Sequence, residues 1–189
     1  MQLHMIISVR ESRHQSNACK SILVISSIFL SMLIFPNVSA DPYPPHFTII
    51  ISNNSEFNAT NGVVSGNGSV ANPFIIEGWE IWGGAAAISI SNTNASFLIR
   101  NVSLYGDSSI RIVNATNGVI THIETHPTSQ SILLDHASNI SITRTTLAYG
   151  GFSVYMTDCQ NISINNSTLI ESFTMLVILN SQNIGLKIV

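Results

Sequence analysis

Several residues in this chain could do chemistry, and the run His122-Ile123-Glu124-Thr125-His126 is the densest of them. Two imidazoles and a carboxylate are the donor set of a borderline divalent ion. On a strand His122, Glu124 and His126 share one face, while Ile123 points to the other. Residues four apart on a strand stand about 13 Å from each other, so these two histidines do not readily close on one ion. A solvated polar face is the leading reading, with Glu124 paired to Arg100 or Arg144. The chain is accordingly expected to hold no metal and no cofactor, with His122, Glu124 and His126 as the weak candidates for a metal.

The carboxylates are the next group. Cleavage of a polysaccharide needs an acid and a base close together, and Glu77, Glu80, Asp107, Glu124, Asp135, Asp158 and Glu171 are scattered. Asp135 and Asp158 are the one pair whose separation brings them near each other. No catalytic residue is assigned. Cys159 is read as a small apolar filler, a weak contact with His136 being its only chemical prospect.

The aromatics are more suggestive. Tyr105, Pro127 and Tyr149 recur at intervals of 22 residues, with Trp82 near the same column in the preceding segment. Two tyrosines two rungs apart would stand about 9.6 Å apart, close to a disaccharide repeat, so Trp82, Tyr105 and Tyr149 are candidates for sugar stacking. The alternative is that Tyr-Gly packs over the edge of the core.

These side chains are positioned by a repeat. From Ile88 onward, aliphatic residues recur every 22 positions: Ile88, Ile110, Ile132, Val154, Leu176, then Ile90, Ile112, Leu134, Met156, Ile178, and then Leu98, Ile120, Ile142, Ile164, Leu186. A polar column runs Asn92, Asn114, His136, Asp158, Asn180, and a second amide column runs Ala95, Asn117, Asn139, Asn161, Asn183. Alternation at i and i+2 marks strands with one buried face. A chain that returns to an equivalent position at a fixed interval must coil, so like residues stack about 4.8 Å apart. Asn at corners tolerates left-handed backbone and can bond amide to amide along the stack. The expected fold is all-β, a right-handed parallel β-helix with 22-residue coils. Leucine-rich repeats are disfavoured, because these repeats use β-branched Ile and carry Ser, Thr and Asn across their second half. Upstream, Ile76 aligns with Leu98, so residues 73–81 read as an earlier coil.

Charged residues make up only 9% of the chain. Arg10, Arg13, His14 and Lys20, the apolar run Ser21 to Phe35, and Val38-Ser39-Ala40 read as a signal peptide over residues 1–40. Residues 41–72 then form an N-terminal capping segment and 73–189 the repeats. Beyond Ala40 there are 4 basic and 9 acidic residues, a net charge of −5, so nucleic acid is excluded as a partner. Cys159 has no second cysteine there to pair with. Asn-X-Ser/Thr sequons are frequent, and Asn58, Asn67, Asn94 and Asn101 are the candidates for glycosylation.

Two features carry a family resemblance. One is the Asn-Ile-Ser-Ile core of the coils (Asn139 to Ile142, Asn161 to Ile164). The other is Gly66-Asn67-Gly68-Ser69 followed by Pro73-Phe74-Ile75-Ile76-Glu77-Gly78-Trp79. Over roughly residues 46 to 189 the chain resembles right-handed parallel β-helix repeat proteins of the group that includes NosD-type periplasmic copper-binding repeats and carbohydrate-binding and sugar-hydrolase repeats. Its second feature looks like the N-terminal opening of archaeal surface β-helix proteins. The resemblance implies a fold and leaves function open, because the group mixes enzymes, accessory proteins and surface components.

The leading expectation is an exported, non-enzymatic protein of the cell surface or exterior that interacts with polysaccharide or surface proteins. A carbohydrate-active enzyme or a fragment of one is the alternative, and a copper-accessory module the second. The last coil, ending in Leu186, Ile188 and Val189, shows no polar cap. This predicts a chain truncated from a longer β-helix, or one that associates end to end.

Overall fold

The computed structural model describes residues 43–126, 129–148, 151–170 and 174–188. The leader at 1–40, Pro127, Tyr149, Glu171 and Val189 lie outside them. The chain winds as a parallel β-solenoid, each strand pairing with its equivalents in the coils before and after it.

One face stacks Ile49–Ile51, Ile88–Thr93, the start of Ser108–Thr125, Gln130–Asp135, Phe152–Thr157 and Thr174–Leu179. A second stacks Phe74–Glu77, Phe97–Tyr105, the later part of Ser108–Thr125, Ser138–Thr143, Gln160–Ile170 and Gln182–Ile188. A third, shorter face begins with Pro45–His46 and Glu80–Trp82 and continues through the ends of the long strands and Thr146–Ala148. Only Val63–Ser65 runs antiparallel among these strands, against Phe74–Glu77.

The inward positions explain the winding. Ile88, Ile110, Ile132 and Val154 are fully buried on successive rungs, as are Ile90, Ile112, Leu134 and Met156. Each such side chain contributes about 1.5–3 kcal/mol on leaving water. Repetition of the alternation keeps the whole apolar set inside, since a slip by one residue would turn it outward.

Corners are made by left-handed backbone. The column Asn92, Asn114, His136, Asp158, Asn180 holds φ between 48° and 52°, and Asn117, Asn139, Asn161, Asn183 between 53° and 63°. A third column, Asn101, His122, Arg144, Asn166, holds φ at 50–51°. Asn is the residue that reaches this region at least cost after glycine. Its amide also bonds along the stack: Asn183 Nδ2 donates to Asn161 Oδ1 (3.0 Å), Asn161 to Asn139 (3.1 Å), and Asn114 to Asn92 (3.0 Å).

The expected period needs one correction. Val119, not Ile120, lies beside Leu98, while Ile99 pairs with Ile120 and with Ile76. Thr93 pairs with Ala115 but Phe97 with Gly118, so the corner between them takes one more residue in the lower coil. Gly118 belongs to the cause: a Cβ there would come within 2.4 Å of the buried Phe97 ring. Phe97 and Ile99 therefore face in, and Leu98 is half-buried.

Before the first full coil, Asn53 and Asn58 accept backbone N–H groups at the starts of the short 3-10 turns Asn54–Glu56 and Ala59–Asn61. These turns deliver Phe57 into the core, flat against Phe74 with centroids 4.6 Å apart.

Candidate functional site

Two outer features gather the residues with chemical potential. The first is an aromatic ladder on the third face. Trp82 pairs with Tyr105, and Tyr105 stands beside His126 because Leu104 pairs with Thr125. The rings are stacked and nearly parallel: Trp82 to Tyr105 is 4.0 Å between centroids at 4°, and Tyr105 to His126 is 3.9 Å at 5°. Strand alternation turns Glu80 to the same side as Trp82, where its Oε1 accepts the indole N–H at 2.6 Å. His126 Nε2 lies 3.0 Å from Ser103 Oγ at the other end.

Trp82 stays 62% exposed although Tyr105 covers one of its faces. The other face is therefore open to solvent. Consecutive rings touch, so no sugar fits between them, and this open indole face with the ring edges is the surface left for a ligand. The ladder replaces the column Tyr105, Pro127, Tyr149 expected from a strict 22-residue period. His126 takes the place given to Pro127, and Tyr149 lies outside the described residues.

The second feature is a polar groove along the first corner. Asn92, Asn114 and His136 form one lip, and Thr116 and Ser138 belong to the other, with Ser138 Oγ donating to Thr116 Oγ1 at 3.1 Å. The small buried residues Thr93 and Ala115 make its floor, and a second, separate hollow on the following rungs is lined by Asp158, Cys159, Gln160, Asn180 and Gln182. Where the two hollows meet the same corner, His136 Nδ1 lies 2.6 Å from Asp135 Oδ1, and Thr157 Oγ1 donates to Asp158 Oδ2 at 3.1 Å. The imidazole pKa is raised above its ordinary value, first by the hydrogen bond to Asp135 and then by the charges of Asp135 and Asp158. Burial pushes the Cys159 thiol up, and its Sγ donates to Thr157 O at 3.2 Å.

The residues of the His122 run are placed apart from one another in role. His122 sits at a left-handed corner with Nδ1 2.9 Å from Thr121 Oγ1, Glu124 is exposed, Ile123 is buried, and His126 belongs to the ladder. Arg100 bonds through Nε to Glu77, not to Glu124, because Glu77 is its partner in register. Among the described residues, the three whose ligand atoms come within 4.8 Å of one another are Asp135, His136 and Asp158. The nearness of Asp135 and Asp158 was readable from their spacing. His136 stands one rung from Asp158 in the same 22-residue column, and the part that spacing does not give is the closing of its ring on Asp135.

Asn58, Asn67, Asn94 and Asn101 are all exposed. Asn58 and Asn67 accept backbone N–H groups of their own turns through Oδ1, and Asn94 accepts from Asn54 Nδ2.

Comparison with protein families, with curated proteins and with solved structures gives no match to this chain. The chain is thus placed by its architecture alone, as a parallel β-solenoid of coils about 22 residues apart.

Proposed function

We propose that this chain is an exported surface β-solenoid that binds glycan, with no catalytic role, through the ladder that begins at Trp82. The observation that carries the reading is the open face of Trp82. A flat indole held from behind by Tyr105 and from the side by Glu80 is a pre-ordered platform, which lowers the entropy cost of binding. Sugar C–H groups favour the electron-rich face of an aromatic ring, and the Glu80 carboxylate beside it can accept sugar hydroxyls. Export rests on the leader sequence, and the kinship with NosD-type and archaeal surface β-helices rests on the Asn-Ile-Ser-Ile and Gly-Asn-Gly-Ser features; both belong to the proposal.

Neighbouring copies are the second class of partner. Ile178 and Leu186 are 38% and 45% exposed, although their column mates Met156 and Ile164 are fully buried. These apolar side chains are a surface that another chain can cover.

A glycan array on the chain without its leader tests the first reading, with Trp82→Ala and Trp82→Phe beside the wild type. Retention should fall roughly tenfold or more in Trp82→Ala, a change of about 1.4 kcal/mol, and be partly kept in Trp82→Phe. Equal retention by all three, or no retention by any, overturns it.

A further inference from the structure

The first corner departs from its own pattern in one place. Three of its five left-handed positions are Asn92, Asn114 and Asn180, and the two in the middle are His136 and Asp158. The backbone does not require the change, since φ is 48–52° at all five. One step before the corner, the stacked outward positions read Ser91, Val113, Asp135, Thr157 and Leu179, with a carboxylate only on the rung of His136. Three side chains able to ligate a metal thus replace amide, hydroxyl and apolar residues on two successive rungs.

Their ligand atoms lie within 4.8 Å of one another. Four donors around one ion at about 2.0–2.2 Å stand roughly 3.3–3.6 Å apart, so a small side-chain rotation closes the set. His136 and Asp158 are exposed and free to make it, while the rungs beneath hold their Cα atoms in register. The ion pair of His136 with Asp135 accounts for one carboxylate. Asp158 adds a second, and among the described residues no Lys or Arg pairs with either. Cys159 is turned away, its Sγ engaged with Thr157 O.

We infer that Asp135, His136 and Asp158 form a binding site for a divalent transition ion, with zinc as the representative, on the outer side of the first corner. One nitrogen and two carboxylate oxygens suit a borderline ion better than calcium or magnesium, which take oxygen alone. Three protein ligands leave at least one position to water or to a ligand lying in the groove. On binding, the ion takes the place of the proton shared between His136 and Asp135. The site bridges two rungs, and so ties adjacent coils together.

The test is calorimetric titration of the whole chain, stripped with a chelator, against Zn2+ and separately against Ca2+. The variants are chosen from the repeat itself: His136→Asn and Asp158→Asn restore the residue of the other corners, and Asp135→Val copies position 113. Unchanged circular dichroism and melting temperature without ion shows that each still folds. One equivalent of Zn2+ should bind saturably, at least ten times more tightly than Ca2+, and each variant should weaken it tenfold or more. At about 100 times its Kd the ion should raise the melting temperature of the wild type by roughly 5–10 °C, and of the variants by much less. Equal Zn2+ binding in wild type and the three variants, binding of Zn2+ no tighter than Ca2+, or no saturable binding overturns the proposal.

Discussion

Asn161 donates its side-chain amide to Asn139 at 3.1 Å, and both residues hold left-handed backbone, with φ of 55° and 53°. One residue type therefore satisfies two demands at each corner, a strained backbone and a bond to the neighbouring rung. The two are separable. Asn161→Ala should destabilise the chain by about 1–2 kcal/mol through the backbone, plus about 0.5–1.5 kcal/mol for each amide bond lost. Asn161→Gly removes the same bonds and relieves the backbone, so it should be the milder change. Urea denaturation compares them, and a glycine variant less stable than the alanine one would assign the corner to its amides alone.

Leu134 is fully buried on an inner rung of its column, between the fully buried Ile112 and Met156. Leu134→Ala should cost about 2–5 kcal/mol. Leu134→Asp buries an unpaired charge and should abolish soluble expression. Retained stability in the aspartate variant would count against the stacked core.

Cys159 tests how closed the corner floor is. Its folded pKa lies above the ordinary 9.0, chiefly because burial disfavours the thiolate. The folded state therefore holds the thiol proton more tightly than the unfolded one. The resulting stability is fully present below about pH 9 and is lost as pH rises through the folded pKa. Iodoacetamide at pH 8 should label the folded chain far more slowly than the chain in urea. Cys159→Ala, which copies Ala115 and Ala137 in the same column, should cost less than about 1.5 kcal/mol.

Arg100 and Glu77 make a half-exposed ion pair between adjacent coils. Such pairs contribute little, so Arg100→Ala should lower stability by no more than about 1 kcal/mol, and less in high salt. A loss of several kcal/mol in denaturant melts would mean that the guanidinium does more than pair with Glu77.

Much of this fold is legible in the sequence because straight strands leave no freedom: once Ile110, Ile132 and Val154 must all face in, the interval between them follows. Corners absorb extra residues without disturbing the core, and there a strict period fails. The additional residue between Thr93 and Phe97 shifted Leu98 outward and brought His126, not Pro127, onto Tyr105. The column Asn101, His122, Arg144, Asn166 has no signature in the sequence for a different reason. Its four members share a backbone conformation, but an imidazole and a guanidinium stand between its two amides.

That last column shows that a left-handed corner can carry an amide, an imidazole or a guanidinium, and the first corner adds a carboxylate. Side-chain identity at these points is thus uncoupled from winding, and every coil presents its own choice about 4.8 Å beyond the last. The outer surface works as a graduated scale, on which a single substitution rewrites one mark and leaves the spacing intact. A linear polymer with a repeat near two such steps, about 9.6 Å, would keep step with every other mark.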